Sequence, residues 1–516
     1  MTAPAPKERE LKLELPVAVL PKFRRLPLLR AINKPPKTKS QVSVYFDTDK
    51  EKLRQRGLML RVRRSGRHFT QTVKAMAEGN IFVRDEWEAD VDSAEPDWKR
   101  ARDTALGPLL KRKLRRRLKP QFETRVRRAV YPLARDGYEI ELTLDRGTIA
   151  TGNASQPLCE IELELKCGDV ADLFEVARKI TRALPAQLGL QSKAERGYAL
   201  LAGESGAPVA FAAAPLTASL PASEAFRRIG RACLRQITGN EAALRRGDPG
   251  GVHQMRVGLR RLRAAMSLFK ALLDDPQSAA IKAGLKWLTT QLGPARELEV
   301  LVNRVVGPVT RRKSPWDGMP TLSRQFTQRR SEALACAQDA VESERFRLLT
   351  LDVAEWLEIG QWTKPSDDLV RDRGELPVAV FAAEQLSKRR KKIRKARKGF
   401  DGLDARRRHK LRIHAKKLRY AADFFAAVFA GKQRDKRSEK FLGALERVQD
   451  TLGDVNDICV HEKVISTAGA KPPRLSRKKA FAAGLLTGRE DARLETVMAA
   501  ADKALAQFAR AKPFWR

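Results

Sequence analysis

The chain is poor in the residues that build several common kinds of site. Its 516 residues include only five cysteines and five histidines. Cys159, Cys167, Cys233, Cys336 and Cys459 lie far apart and form no CxxC pair, so neither a zinc site nor a disulfide framework is signalled. A reducing cytoplasm fits best. Aromatics make up 6% of the chain, too few to interleave with the basic residues as base-stacking platforms. No Walker loop occurs, which argues against nucleotide binding of that type. No apolar run approaches the length of a spanning helix, and the first residues lack the apolar core of a signal peptide, so a soluble protein with no membrane partner is expected.

Positive charge is what the chain has in excess. It carries 102 Lys+Arg against 62 Asp+Glu, a net charge of +40, on a chain that is 42% hydrophobic. That apolar content excludes disorder, and the length allows two or more domains. An excess of this size favours a polyanionic partner: nucleic acid, an anionic membrane, or a phosphate polymer. The charge is unevenly spread. Residues 1–200 hold 41 basic and 27 acidic side chains, so most of the imbalance lies downstream and acid is retained in the first part.

Residues 1–200 read as strands. Glu8 to Glu14 is charged at even positions and, from Leu11, apolar at odd ones, the period of two of a strand with one polar face. The pattern recurs at Leu58–Arg63 with Arg61 and Arg63, at Phe69–Lys74 ending in Lys74, and at Val83–Glu88 with Arg84, Glu86 and Glu88. It continues at Thr124–Arg128 with Arg125 and Arg127, at Tyr138–Asp145 with Glu139 and Glu141, and at Cys159–Lys166 with Glu160, Glu162 and Glu164. A single such strand is most simply a sheet with one solvated face. Here the signs are segregated, with carboxylates on the first and last strands and arginines between. If the sheet curls with that face inward, the charges must be paired or must hold a ligand and a metal.

In this order the motifs resemble the CYTH domain, the triphosphate tunnel metalloenzyme fold, over residues 7–201. The resemblance rests on Glu8-x-Glu10-x-Lys12, the basic strands, Asp145 in Leu144-Asp145-Arg146-Gly147, the Glu160/Glu162/Glu164 strand and Lys193 in Ser192-Lys193-Ala194-Glu195-Arg196-Gly197-Tyr198. It implies an eight-stranded antiparallel tunnel that binds triphosphate and a divalent cation, Mg²⁺ or Mn²⁺. By the resemblance Glu8, Glu10, Glu162 and Glu164 hold the metal and carry catalysis, with Glu160 a further metal candidate. Lys12, Arg61, Arg63, Lys74, Arg84, Arg125, Arg127 and Lys193 would bind phosphates. Inorganic triphosphate is the family substrate that needs least beyond this set. The basic run Lys111–Arg117 is expected to be a solvated helix or loop rather than a docking surface.

Residues 202–222 are rich in Ala, Pro, Gly and Ser and read as a linker between a 1–201 tunnel domain and a 223–516 helical domain. Within the helical part a motif repeats. His253, Arg256, Arg260 and Arg263 occupy offsets 0, 3, 7 and 10, and His409, Arg412, Lys416 and Arg419 occupy the same offsets. On a helix those positions share a sector about 80° wide, so each set is a basic stripe. Like charges so placed repel, and an anion would offset them. Leu292-Gly293-Pro294-Ala295-Arg296-Glu297-Leu298-Glu299 returns as Leu452-Gly453-Asp454-Val455-Asn456-Asp457-Ile458-Cys459, 39 residues after His253 and 43 after His409. A duplicated helical unit with two facing stripes is the simplest account, its acids holding the arginines in place. The run Lys388–Lys398 suits a nucleic-acid or membrane patch, or one wall of the same channel.

Residues 223–510 resemble the CHAD domain, a helical module associated with inorganic polyphosphate. Two features depart from that pattern: the acids at Glu297 and Glu299 where aspartates are more usual, and a stretch from Gly307 to Gly318 that looks inserted. The fold expected is thus α+β multidomain, an antiparallel tunnel followed by an all-α domain of two repeated halves. The expected function is metal-dependent hydrolysis of triphosphate beside a polyphosphate-binding module, in the cytoplasm and at polyphosphate granules. The alternative is a non-catalytic polyphosphate-binding protein. Nucleic acid is disfavoured by the scarcity of aromatics, and oligomeric state is left open.

Overall fold

A computed structural model describes residues 7–30, 32, 35–75, 82–135, 137–311, 316–397, 399–400, 402–469 and 477–516. Two compact units are present. One comprises Met1–Ala210, Leu234–Met255 and Ala340–Gly360, and the other Phe211–Cys233, Arg256–Asp339 and Gln361–Arg516.

The first unit is built on β1 (Lys7–Glu14), β2 (Lys37–Asp47), β3 (Leu58–Ser65), β4 (His68–Ala75), β5 (Val83–Val91), β6 (Lys119–Arg135), β7 (Tyr138–Thr151), β8 (Ala154–Cys167) and the two-residue β9 (Gln187–Leu188). All described pairings are antiparallel and run in the order β5-β4-β3-β2-β6-β7-β8-β1. A further pairing of β1 with β5 closes these eight into a ring, and β9 adds to the side of β1. The expected eight-stranded tunnel is therefore present, with a short ninth strand beside it. Closure removes the sheet edges that would otherwise template aggregation.

The barrel is apolar outside, and its lumen is charged over part of its length and apolar over another part, where Tyr45, Phe122 and Val126 are buried together. Leu11, Leu13, Ile140, Leu142, Ile161 and Leu163 are fully buried although they point away from the lumen. The amphipathic helix Val170–Ala183, capped at Asp169, lays Leu173, Phe174, Ala177 and Ile180 against β1 and β8 to cover them. Elsewhere the cover is the segment 98–115. Its Leu106, Leu110 and Leu114 are buried against Leu60, Val62 and Val73, while Lys111, Arg112, Lys113, Arg116 and Arg117 stay exposed. That basic run is thus the solvated side of an apolar anchor.

In the second unit Phe226, Phe269, Phe381 and Phe425 form a buried aromatic centre, with Phe269 stacked on Phe381 at 4.6 Å. The Lys432–Gly469 and Arg477–Arg510 helices pack on each other. Just before the segment that begins at Gly307, a π turn over Val302–Val306 leads into the short helix Gly307–Thr310. Among the described residues no helix is long and apolar enough to cross a membrane.

Candidate functional site

Strand parity delivers charge to the lumen. Even positions of β1 and β8 face inward, so Glu10 and Lys12 meet Glu164 and Glu162 directly across the ladder, and Glu164 and Glu162 in turn lie opposite Glu141 and Thr143 of β7. The next level holds Glu14, Glu160 and Asp145. Carboxylates placed directly opposite on neighbouring strands repel. The row Glu10, Glu164 and Glu141 lines a cavity of about 350 Å³. Its other side carries Arg61, Arg63 and Lys74 from β3 and β4. In the ring order β3 stands across from β8, and β4 across from β7, so basic and acidic walls face each other over the lumen.

A dense ion-pair network runs along the cavity wall, with Asp145 and Glu160 buried behind it. Lys12 Nζ is 3.0 Å from Glu10 Oε1 and donates to Glu162 Oε1 at 2.7 Å. Arg128 forks onto Asp145 at 2.8 and 2.6 Å and reaches Glu162 Oε2 at 2.6 Å. Lys193 Nζ lies 2.8, 2.6 and 2.8 Å from Asp145, Glu160 and Glu162. It is the first residue of the Lys193–Leu201 helix, whose Ser192 and Glu195 form a reciprocal cap that fixes its direction. Burial alone would raise the Glu162 carboxyl, but Lys12, Lys193 and Arg128 hold it well below its ordinary value. Burial likewise opposes charging Lys193, and Asp145, Glu160 and Glu162 overcome it. Glu160 goes the other way: burial raises its carboxyl despite Lys193 and Lys12. Arg63, beside Arg61 and partly buried, falls to about 10.

Asp145, Glu160 and Glu162 each offer a carboxylate oxygen within 4.8 Å of the others, the one group of that kind among the described residues. Hard oxygen donors of this type suit a divalent cation such as Mg²⁺ or Mn²⁺. Lys193 and Arg128 neutralise that trio, while on the cavity wall Lys12 pairs with Glu10 and Lys166 with Glu164.

Glu10, Lys12, Arg61, Arg63, Lys74, Glu162, Glu164 and Lys193 all line the cavity as the strand pattern suggests. Glu160 is buried below it. The side chains of Glu8 and Arg84 lie outside the described residues, although their backbones pair in the β1–β5 seam. Arg125 and Arg127 do not enter. Both are exposed on the outer face of β6, where Arg125 pairs with Glu123, and Arg128 points inward instead. The cause is parity: Phe122, Thr124 and Val126 are buried, so the even positions turn in. Sequence reasoning missed Arg128, and it placed Glu86, Glu88 and Glu141 on charged strand faces without giving them a role. Glu86 pairs with Lys74 at 2.5 Å and with Arg61 at 3.4 Å.

The second unit carries the repeat. Arg256 and Arg260 lie on the Pro249–Leu268 helix, and Arg412 and Lys416 on the Ala405–Phe425 helix. Arg260 Nε donates to Tyr420 Oη at 3.2 Å, joining the two helices. Arg256 is 3.9 Å from Glu297, and Arg412 is 3.9 Å from Asp457. The acids of both repeats thus hold equivalent arginines. Burial, then Arg412 and Arg260, push Lys416 down to about 7. Arg256 and Arg412 are lowered as well, by burial first and by Arg260 among their neighbours. The four cations therefore converge. His409 contacts Asn456 at 2.9 Å, Arg419 pairs with Asp423 and Glu446, and Arg263 is exposed.

The packing of those helices is reciprocal. The offset that carries His253 onto His409 also carries Arg261 onto Lys417 and Ser267 onto Asp423. Arg261 lies 3.5 Å from Asp423, and Lys417 donates to Ser267 Oγ at 3.2 Å. Each helix thus offers the same position to the other, as an approximate two-fold requires.

Residues 6–198 match the CYTH domain family and residues 228–466 match the CHAD domain family. An inorganic triphosphatase of Haemophilus influenzae is 37% identical over 83 residues, which is 16% of this chain and 24% of that protein, so the match spans about a quarter of that relative. The crystal structure of the CHAD domain from the plant Ricinus communis is 29% identical, with a TM-score of 0.51, over 58% of this chain and 96% of that one.

Proposed function

From a chain that carries a CYTH domain followed by a CHAD domain, we propose a metal-dependent hydrolase that cleaves inorganic triphosphate in the tunnel and binds inorganic polyphosphate on its helical part. In this reading the tunnel module spans residues 1–201, a linker 202–222 and the helical module 223–516. The observation that supports hydrolysis most is the facing of two oppositely charged walls across one lumen. A mere anion binder gains nothing from Glu10, Glu141 and Glu164 beside its substrate, since carboxylates repel phosphate.

Arg61, Arg63 and Lys74 hold the phosphate oxygens and offset charge that develops in the transition state. Glu10, Glu162 and Glu164, with Glu8, would hold Mg²⁺ or Mn²⁺, with Glu160 and Asp145 beneath. When bound, the cation supplies further neutralisation of the phosphate chain. Lys12, Arg128 and Lys193 keep Glu162 ionised and in place. A carboxylate on the acidic wall accepts a hydrogen bond from water and aims it at the terminal phosphorus, opposite the leaving oxygen. Phosphate release from triphosphate, ATP and thiamine triphosphate with each metal tests the assignment. Release that is independent of metal, or equal on all three, would count against it.

Polyphosphate binding is supported by the four converging cations, whose mutual repulsion a phosphate chain relieves. Retention of long-chain polyphosphate by the whole protein, with duplex DNA as competitor at equal phosphate concentration, tests it; DNA should compete poorly. Association with polyphosphate granules in the cytoplasm follows from the same reading. The non-catalytic alternative requires the tunnel to bind triphosphate without turnover.

A further inference from the structure

A second basic space lies behind the stripes. The Val378–Arg397 and Ala405–Phe425 helices help to enclose a cavity of about 1070 Å³ lined by Lys388, Arg389, Lys392, His414, Lys417 and Ser267, among others. On the second helix, His414 and Lys417 are turned about 150° away from the mean direction of Arg412 and Lys416, so this is a different face. Lys388, Arg389 and Lys392 of the basic run thus line this face and not that of Arg412 and Lys416.

The cations here are under-neutralised by construction. Among the described residues Arg389 Nε is buried without a hydrogen-bond partner, and the guanidinium reaches only the Ser267 carbonyl, at 3.1 Å. Lys417 meets the Ser267 hydroxyl rather than an acid. Asp274, Asp275 and Asp367 line the same cavity, fewer than its lysines and arginines, and two of them accept backbone N–H groups at the start of a helix, Asp275 from Ser278 and Asp367 from Leu369. Burial and neighbouring cations both disfavour the charged forms of His414 and Lys417.

The other repeat shows what is missing. There Arg261 has Asp423 at 3.5 Å as counter-charge, and the ring of Phe211 covers it at 4.3 Å. Ser267 stands where symmetry would put that aspartate, and Gly258 stands where His414 does. The second repeat thus leaves a recessed, cation-lined space open.

We propose that this cavity binds a compact molecule carrying several phosphoryl groups, at a site separate from the two stripes. Lysine and arginine match phosphate oxygens, and a space of this size accommodates a ligand of many atoms. Several cations around one recess call for more than a single anionic charge. The assignment does not depend on what the stripes bind.

The test is isothermal titration of the full chain with inositol hexakisphosphate as probe, in EDTA and at physiological ionic strength. Ser267→Asp restores the counter-charge of the other repeat without removing any side chain. It should weaken binding by about tenfold or more, as should Lys392→Ala with Lys417→Ala. Arg256→Ala with Arg412→Ala should leave this binding in place. Thermal melts confirm folding, and Ser267→Asp serves if the double variant melts early. Unchanged binding in Ser267→Asp, or loss confined to the stripe variant, overturns the proposal. So does a Ser267→Asp defect seen with long-chain polyphosphate alone, which would make the occupant a polymer instead of a compact molecule.

Discussion

Lys417 donates to Ser267 across 3.2 Å, and the same positions exchanged between repeats bring Arg261 to 3.5 Å from Asp423. The two basic helices therefore present one surface made twice. Each copy keeps an acid 3.9 Å from its leading arginine, Glu297 in the first and Asp457 in the second. Glutamate replaces aspartate in one copy without altering that spacing.

Equivalent positions should contribute alike. Arg256→Ala and Arg412→Ala are each expected to weaken polyphosphate retention by about tenfold, each losing a charged contact of similar kind. Filter retention or titration at fixed salt reads this directly. A large loss in one variant and none in the other would show that the stripes are not halves of one site.

Lys416 gives the site a pH signature. Its folded value near 7 lies below the ordinary 10.5, so the unfolded chain binds more protons between those values. Stability contributed by this group therefore rises with pH across that window and is unfavourable below it. A bound anion favours the protonated form, so polyphosphate affinity should fall as pH rises past 7. Lys416→Arg should flatten that dependence, and an unchanged profile would remove Lys416 from the site.

In the tunnel, Glu10→Gln and Glu164→Gln should each lower metal-dependent phosphate release by about a hundredfold or more, the usual scale for a positioned acid–base or ligand group. Arg125→Ala and Arg127→Ala, on the outer face, should leave release within a few-fold of the parent. The contrast separates lumen from surface in one assay.

Arg128 supports the network mechanically. Its removal leaves the fully buried Asp145 with Lys193 as its remaining ion-pair partner, a loss expected to cost about 3 kcal/mol. Denaturant melts of Arg128→Met should show that loss. Adding Asp145→Asn should recover part of it, and a simple additive loss would argue against direct coupling.

The alternation of β1, β3 and β8 made the lumen legible, because charges there fall on one parity and apolar residues on the other. β6 concealed its inward face. Arg125, Arg127 and Arg128 put arginines on both parities, and the signal that decides between them is the apolar and small set Phe122, Thr124 and Val126. The stripes were legible because the repeat preserves spacing. The pocket behind them was not, since Lys388, Arg389, Lys392 and Lys417 become neighbours only when two helices pack.

The closing seam of the barrel has a kinetic consequence. β1 precedes the other described strands in the chain, yet its partners are β5, β8 and β9, the last of them at Gln187–Leu188. Its ladder cannot be completed until the chain has emerged as far as Leu188. Glu10 therefore waits for Glu164 in every nascent chain. An interrupted product has no assembled acidic wall, and the charged lumen comes into being only with the finished ring.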